Sequence, residues 1–213
     1  MKHETGIEVE LKLGLYFDHS SGMPCIPGSS VKGALRSAFP QFVKHTKTNS
    51  EVKIAKAYVL NNYMLNKIDP ENFPLIDKNP KESDIRKIRQ LEEEIFEGKK
   101  IDTQKHDDKG EIKIFLSVYE KDIFHDAFVV IGDKKGRILG DDAITHHPNP
   151  LKNPNPVLFL KIMPGVTVQF NFDLKDGIFL KADQKADLFK LILQYYGIGA
   201  KTNVGYGQFE PTS

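Results

Sequence analysis

The sequence has a single cysteine and no tryptophan among its 213 residues. Cys25 therefore cannot form a disulfide within the chain, and zinc sites built on several cysteines are excluded. The chain also lacks an excess of either charge, because 30 basic residues nearly balance 29 acidic ones. A polyanionic partner would therefore have to be recognised by a local basic patch rather than by the charge of the whole chain.

Long hydrophobic runs are absent as well. No segment is apolar over the roughly 20 residues that a membrane-spanning helix needs. The first residues, 1-MKHETGIEVELKL, lack the apolar core of a signal peptide. A content of 39% hydrophobic and 28% charged residues is typical of globular proteins. We therefore expect no membrane partner and a cytoplasmic location.

Hydrophobic periodicity predicts a mixed order of strands and helices. Strands are predicted over 7–15, 112–118, 123–131, 157–162 and 166–174. Helices are predicted from a cap at Ser29 or Ser30 to Pro40, over 50–66, over 83–96 and from a cap at Asp183 to 196. Antiparallel strands with helices on one side predict an α+β fold of the ferredoxin-like, RRM-like kind.

Residues 41–110 interrupt this order and are predicted to form a helical insertion between the first helix and the second strand of the core. The insertion contains both of the middle helical patterns. Its last part, 97-EGKKIDTQKHDDKGE-111, is rich in turn-forming and charged residues, and we expect it to be mobile.

The stretch 197-GIGAKTNVGYG-207 has a GxGxxxxxGxG spacing and follows the last predicted helix. It is neither a Walker loop nor a dinucleotide fingerprint. Glycines can simply end a helix and allow a tight turn. They can also bring backbone N–H groups close to phosphates, with Lys201, Asn203 and Tyr206 supplying charge, hydrogen bonds and stacking.

A second candidate site is the start of the first helix. Lys32 and Arg36 are four residues apart, so they share one helix face, close to the N-terminal end where free N–H groups favour anions. In a ferredoxin-like fold the loop that leads into this helix and the glycine stretch adjoin neighbouring central strands, so the two segments should lie side by side. The two segments together predict a groove for a nucleic-acid backbone.

The same two segments resemble a known family. The pair 24-PCIPGSSVKGALRSAF-39 and 197-GIGAKTNVGYGQF-209 resembles the signature of the RAMP superfamily, the repeat-associated mysterious proteins of CRISPR systems. Within it, 123-IFHDAFVV-130, 138-ILGDDAITHHP-148 and 153-NPNPVLFLKIMPGVTVQFNF-172 are similar to the family of the sixth subunit of the Cmr complex, the type III-B effector. The resemblance covers nearly the whole chain outside the insertion.

The resemblance implies a single RAMP domain over 1–213 that binds guide RNA toward the 3′ end of the crRNA without cutting it. The implied partners are crRNA, target RNA, the backbone nuclease subunit, the first subunit and the small fifth subunit of the complex. No cofactor or metal is implied. The RNA-binding residues carried over are Pro27, Gly28, Ser29, Ser30, Lys32, Gly33, Arg36, Gly197, Gly199, Lys201, Asn203, Gly205, Tyr206 and Gly207.

An RNA endonuclease is the alternative function. Related backbone subunits cleave target RNA with an aspartate in the loop after the first strand, where this chain has Asp18, although a solvated turn residue explains Asp18 as well. Guide-processing relatives often use a histidine, but no histidine is paired with a base or an orienting group in the sequence. The candidates are His19, His45, His125, His146 and His147.

The densest polar cluster is 141-DDAITHHP-148. Asp141, Asp142, His146 and His147 are all competent metal ligands, so a zinc or manganese site is one explanation. The Pro-rich surroundings favour a structural loop, and the resemblance favours a contact to RNA or to a partner subunit.

Overall fold

The structure is a computed structural model that describes residues 15–40, 49–75, 81–107, 110–146, 155–200 and 202–211. Its strands are β1 Tyr16–Phe17, β2 Pro24–Ile26, β3 Lys99–Asp107, β4 Gly110–Phe115, β5 Ile123–Phe124, β6 Ala127–Ile131, β7 Leu139–His146, β8 Asn155–Ile162, β9 Thr167–Gln169 and β10 Phe172–Asp173. Its helices are α1 Gly28–Ser37, α2 Asn49–Ile68, α3 Glu82–Glu92 and α4 Ala182–Tyr196, with a π-helical turn at Glu93–Glu97 and 3-10 turns at Val118–Glu120 and Thr202–Val204.

The chain divides into two compact units. The first comprises Met1–Pro27 and Asp126–Phe170, and the second comprises Gly28–His125 and Asn171–Ser213. All strand pairings are antiparallel among the described residues, and all the described α-helices belong to the second unit. The predicted α+β class is therefore confirmed. No helix in these ranges is long and apolar enough to cross a bilayer.

The first unit contains a four-stranded sheet in the order β1-β2-β6-β9 and a separate ribbon, β7–β8. Cys25 of β2 pairs with Phe128 of β6, and Ala127 and Val129 are buried beside them. The ribbon runs in unbroken register from Leu139↔Ile162 to His146↔Asn155. The expectation that the polar cluster 141–148 lies in a structural loop was therefore wrong for 141–146, and residues 147 and 148 lie outside the described residues. Cross-strand pairing with β8 makes residues 139–146 a strand.

The second unit is built around α4, which packs against α1 and α2. Val31 and Leu35 form the buried face of α1, and Leu188 and Ile192 form that of α4. A cluster of phenylalanine rings fills the space between α4, the ribbon β5–β10 and the π-helical turn, with centroids 5.2 to 6.4 Å apart. Its members are Phe96, Phe124, Phe172 and Phe189.

The predicted insertion supplies much of this core. Its two predicted helices are confirmed as α2 and α3, and it buries the side chains of Tyr58, Met64, Leu65, Ile88, Leu91 and Ile95. The mobility of 97–111 stays an expectation. Most of that segment forms β3, which pairs with β4 from Lys99↔Phe115 to Asp107↔Gly110 with a register shift between.

Three charged side chains are buried together in the second unit. The Lys185 ammonium lies 2.7 Å from Asp122 Oδ2 and 3.8 Å from Glu94 Oε1. Backbone N–H groups complete the cluster: Lys175 donates to Asp122 and Ile178 donates to Glu94. Burial raises the pKa of Glu94, and the Ile178 N–H and Lys185 oppose this only in part. The cluster joins Glu94 of the π-helical turn and Asp122 to α4.

Several predicted boundaries moved. The predicted strand 7–15 lies outside the described residues except for its last residue. The predicted strands 123–131 and 166–174 are each divided, into β5 and β6 and into β9 and β10, because the halves pair in different units. Helix α1 begins at Gly28, so Ser29 and Ser30 lie inside its first turn, and the N-cap position of α4 is Lys181 instead of Asp183.

Candidate nucleic-acid interface

Helix α1 begins directly after Pro27, and its first residue must be glycine for steric reasons. A Cβ on Gly28 would lie 2.1 Å from the carbonyl oxygen of Phe124, which is far inside van der Waals contact. Gly28 therefore lets the start of α1 lie against β5. The opposite, solvent-facing side of the helix carries Ser29, Ser30 and Gly33.

Arg36 forms two ion pairs within the protein. Its Nε lies 2.8 Å from Glu92 Oε1, and its terminal nitrogen lies 2.6 Å from Glu97 Oε1. Lys99 and Arg36 together lower the pKa of Glu97, so Glu97 remains ionised beside the guanidinium. Arg36 thus joins α1 to α3 and the π-helical turn, and a contact between Arg36 and RNA stays a prediction.

Lys32 has a different environment, although it shares a helix face with Arg36. Its ammonium lies 5.7 Å from the centroid of the Phe124 ring, a cation–π contact that leaves the charge in place. Within the described ranges, no ion pair joins Lys32 to a carboxylate. Lys32 is half-exposed, so its ammonium remains available to an anion in solution.

The base of the glycine loop is closed by backbone contacts. Gly197 ends α4 with a φ of 68°, and the Ile198 N–H donates to the Gly207 carbonyl at 2.9 Å. A Cβ on Gly207 would lie 2.0 Å from the Ile198 oxygen, and one on Gly197 would lie 2.4 Å from the Gly207 oxygen. The need to end α4 and to close the base of the loop is enough to explain why these two positions are glycine.

The tip of the loop is different. Gly199 and Gly205 have φ values of 104° and 93°, but an added Cβ would meet nothing within 4 Å at either position. Asn203 is exposed and Tyr206 is half-buried, while Lys201 lies outside the described residues. Helix α4 packs against α1, and the glycine loop belongs to the same unit as α1. The open side of the loop is its tip.

Comparison with known proteins decides the family. The model of the RAMP superfamily matches residues 5–210. The chain belongs to the RAMP superfamily. It is also similar to the crystal structure of Cmr6 from Pyrococcus furiosus, with 22% sequence identity, a TM-score of 0.47 and coverage of 88% of this chain and 82% of that one. No curated protein matches this RAMP protein.

In this RAMP protein Asp18 organises a turn. Its carboxylate accepts hydrogen bonds from the Ser21 N–H at 2.7 Å and from the Ser21 hydroxyl at 2.6 Å. These bonds lower the pKa of Asp18 and hold it as an exposed anion. The geometry is that of a capped turn, which favours the structural explanation of this residue over the catalytic one.

One histidine has the orienting partner that the sequence did not reveal. His125 Nε2 lies 3.0 Å from Asp173 Oδ2, on the exposed side of the ribbon β5–β10. The sequence shows no pairing for any histidine, because the partner of His125 lies 48 positions away in the chain. His45 and His147 lie outside the described residues, and His19 is an exposed turn residue.

The described part of the polar cluster, residues 141–146, lies on β7. Successive residues of a strand point to opposite faces, so Asp141 and Asp142 diverge. Asp142 forms an ion pair with Lys161 on the neighbouring strand, and Asp141 is exposed. The side chain of His146 is outside the described part, as is His147. Across the part of the chain that is described, no three metal-ligating side chains converge.

Proposed function

We propose that this RAMP protein is a non-catalytic subunit that holds the guide RNA of a type III-B CRISPR (Cmr) effector and so contributes to RNA-guided antiviral defence. It lies toward the 3′ end of the crRNA, in the cytoplasm, and meets target RNA, the backbone nuclease subunit, the first subunit and the small fifth subunit. Membership of the superfamily and the motif resemblance support this assignment. A single ferredoxin-like RAMP domain with an insertion at about 41–110 is part of the proposal.

The observation that carries the proposal is the environment of the Lys32 ammonium. The Lys32 ammonium has no carboxylate partner in the described residues and lies on α1. Next to it is an exposed face that carries the hydroxyl groups of Ser29 and Ser30 and the bare backbone of Gly33. Such a surface can bind phosphate through charge and hydroxyl donors while the RNA backbone approaches closely over Gly33. Contacts of this kind are independent of base sequence, as a guide-binding subunit requires.

Replacing Lys32 with alanine is expected to weaken RNA binding without loss of stability. A labelled single-stranded RNA with a CRISPR repeat-derived end is titrated at several salt concentrations, and the product is run on a denaturing gel. Loss of one phosphate contact should reduce the salt slope of log K by about 0.7. Lys134→Ala, in an exposed turn, is the matched control. Equal slopes for both variants and the parent would contradict the role of Lys32.

Arg36→Ala is a poor test of RNA contact because it also breaks two ion pairs. A reduced affinity in that variant would not separate a lost phosphate contact from a displaced α1. Lys32 has no such ambiguity, since its contact within the second unit is to the face of an aromatic ring.

Gly33→Ala is expected to stabilise the protein and to weaken RNA binding at the same time. An added Cβ meets nothing within 4 Å, and alanine inside a helix is more stable than glycine by about 0.5–1 kcal/mol. If RNA backbone lies over this position, the methyl group will obstruct it. Thermal unfolding and RNA titration on the same variant check both effects. Unchanged affinity in a more stable variant would remove Gly33 from the site.

The endonuclease alternative keeps one supporting observation, the His125–Asp173 pair. A histidine oriented by a carboxylate can act as a general base toward a ribose 2′-hydroxyl. The denaturing gel described for Lys32 decides the matter. Intact RNA supports the guide-holding subunit. Cleavage by the parent that is lost in His125→Ala would make the protein a nuclease.

A further inference from the structure

An aromatic and cationic cluster lies where α2 meets α4. The Lys67 ammonium is 4.6 Å from the centroid of the Tyr63 ring and 5.5 Å from that of Tyr195. It also donates a hydrogen bond to the Tyr195 hydroxyl at 3.1 Å. The two rings therefore hold one cation between a helix of the predicted insertion and the C-terminal helix.

The cluster is open to solvent. Tyr63 is 43% exposed and Tyr195 is 49% exposed, so each ring offers part of its surface to a ligand. Hydrogen bonding to Tyr195 raises the pKa of Lys67, which keeps the ammonium charged. As with Lys32, no ion pair to a carboxylate is found for Lys67 in the described part of the chain. Lys99, Lys113 and Lys161, by contrast, each have an acidic partner.

The position of the cluster connects it with the candidate interface. Tyr195 lies in the last turn of α4, two residues before Gly197, where the glycine loop begins. Lys67 lies in the last turn of α2, which packs against α4. All three side chains belong to the same compact unit as α1 and the glycine loop.

We propose that Tyr63, Lys67 and Tyr195 form a contact site for single-stranded RNA, with bases stacked on the tyrosine rings and a phosphate bound by Lys67. This inference rests on the proposed RNA-binding function and extends that surface from the glycine loop onto the insertion. Half-exposed aromatic rings beside an unneutralised cation are the combination that binds single strands regardless of sequence, because every base has a π-face.

The absence of tryptophan makes a site-specific reporter possible. In Tyr195→Trp the new indole is the sole tryptophan and keeps an aromatic ring at the site. RNA that stacks there should quench its emission saturably, over the concentration range in which the RNA binds. Tyr119→Trp is the matched control, because Tyr119 is 88% exposed on a different surface turn. Absent quenching at position 195, or equal quenching at both positions, would overturn the inference.

Affinity measurements separate stacking from helix packing. Tyr63→Ala combined with Tyr195→Ala should reduce RNA affinity about ten-fold or more, since each stacked base contributes a large factor. Tyr195→Phe keeps the ring while losing the hydrogen bond to Lys67, so its affinity should stay close to that of the parent. Lys67→Met keeps the side-chain length and should reduce the salt slope by about 0.7. Thermal unfolding of each variant shows whether α2 and α4 remain packed.

The outcomes distinguish this inference from the function on which it rests. If the parent protein does not bind RNA at all, the proposed function fails. If the parent binds and Lys32→Ala weakens binding while folded cluster variants bind normally, the inference alone is wrong. Cluster variants that bind RNA normally but no longer assemble with the other subunits would identify a protein interface in place of an RNA site, and would also overturn it.

Discussion

Lys185→Met is expected to lower the free energy of unfolding by about 3–5 kcal/mol, because it leaves two buried carboxylates without their cation. The side chains of Lys185, Asp122 and Glu94 are each less than 5% exposed, at 3%, 2% and 4%. Methionine matches the lysine stem in length and fills the same space. The loss would therefore report the charge and not a cavity.

The destabilisation caused by Lys185→Met should depend on pH in a defined direction. Burial raises the pKa of Glu94 above its ordinary value of 4.5. A carboxyl whose folded pKa is raised stabilises the fold below its ordinary pKa and loses that contribution as the pH rises through the folded pKa. Removing Lys185 removes one of the interactions that lower the pKa of Glu94. The destabilisation should be larger at neutral pH than at mildly acidic pH.

Denaturant unfolding of the parent and Lys185→Met at the two pH conditions measures this effect. Lys190→Met is the matched control, because Lys190 is exposed on the same helix. Adding Asp122→Asn to Lys185→Met should recover part of the loss by removing one uncompensated charge. Similar stability of Lys185→Met and Lys190→Met would show that the buried cluster contributes little.

Gly207→Ala is expected to open the base of the glycine loop at a cost of about 3 kcal/mol, from left-handed backbone strain and steric overlap together. Gly207 has a φ of 62°, and its added Cβ would lie 2.0 Å from the Ile198 carbonyl oxygen. That oxygen belongs to the backbone and cannot move away as a flexible side chain could. The hydrogen bond from the Ile198 N–H to the Gly207 carbonyl should break.

Gly205→Ala separates the two causes. Gly205 also has a positive φ, of 93°, but its added Cβ meets nothing within 4 Å. Gly205→Ala should therefore lower the free energy of unfolding only by the backbone strain, about 1–2 kcal/mol. Amide hydrogen exchange at Ile198 is the local measurement. Protection lost in Gly207→Ala and kept in Gly205→Ala is the expected result, whereas equal loss would mean that strain alone governs the loop.

The helices could be predicted from the sequence because their signal is local. Apolar residues recur at helical spacing in α2, α3 and α4, and each helix was found within two residues of its predicted position at both ends, except where a π-helical turn follows α3. Strand pairing is not local. The segment 123–131 is predicted as one strand, yet β5 pairs with β10 and β6 pairs with β2 and β9. Periodicity cannot reveal that division.

The candidate site shows the same limit. Lys32 and Arg36 are equivalent in the sequence, as basic residues one helical turn apart. Their environments differ because Glu92 and Glu97 lie 56 and 61 positions away from Arg36 in the chain. Asp173 is likewise 48 positions from His125. Spacing identifies which side chains share a helix face, whereas only the tertiary fold decides which of their charges are neutralised.

The ion pairs of Arg36 also affect how a shared motif should be compared across relatives. An alignment column containing this arginine does not define one role, because here the guanidinium joins α1 to α3 and the π-helical turn through two glutamates. A relative that keeps the arginine but lacks both acids would present an unneutralised cation at the same position. Arginine at 36 and acidic residues at 92 and 97 should therefore be inherited together.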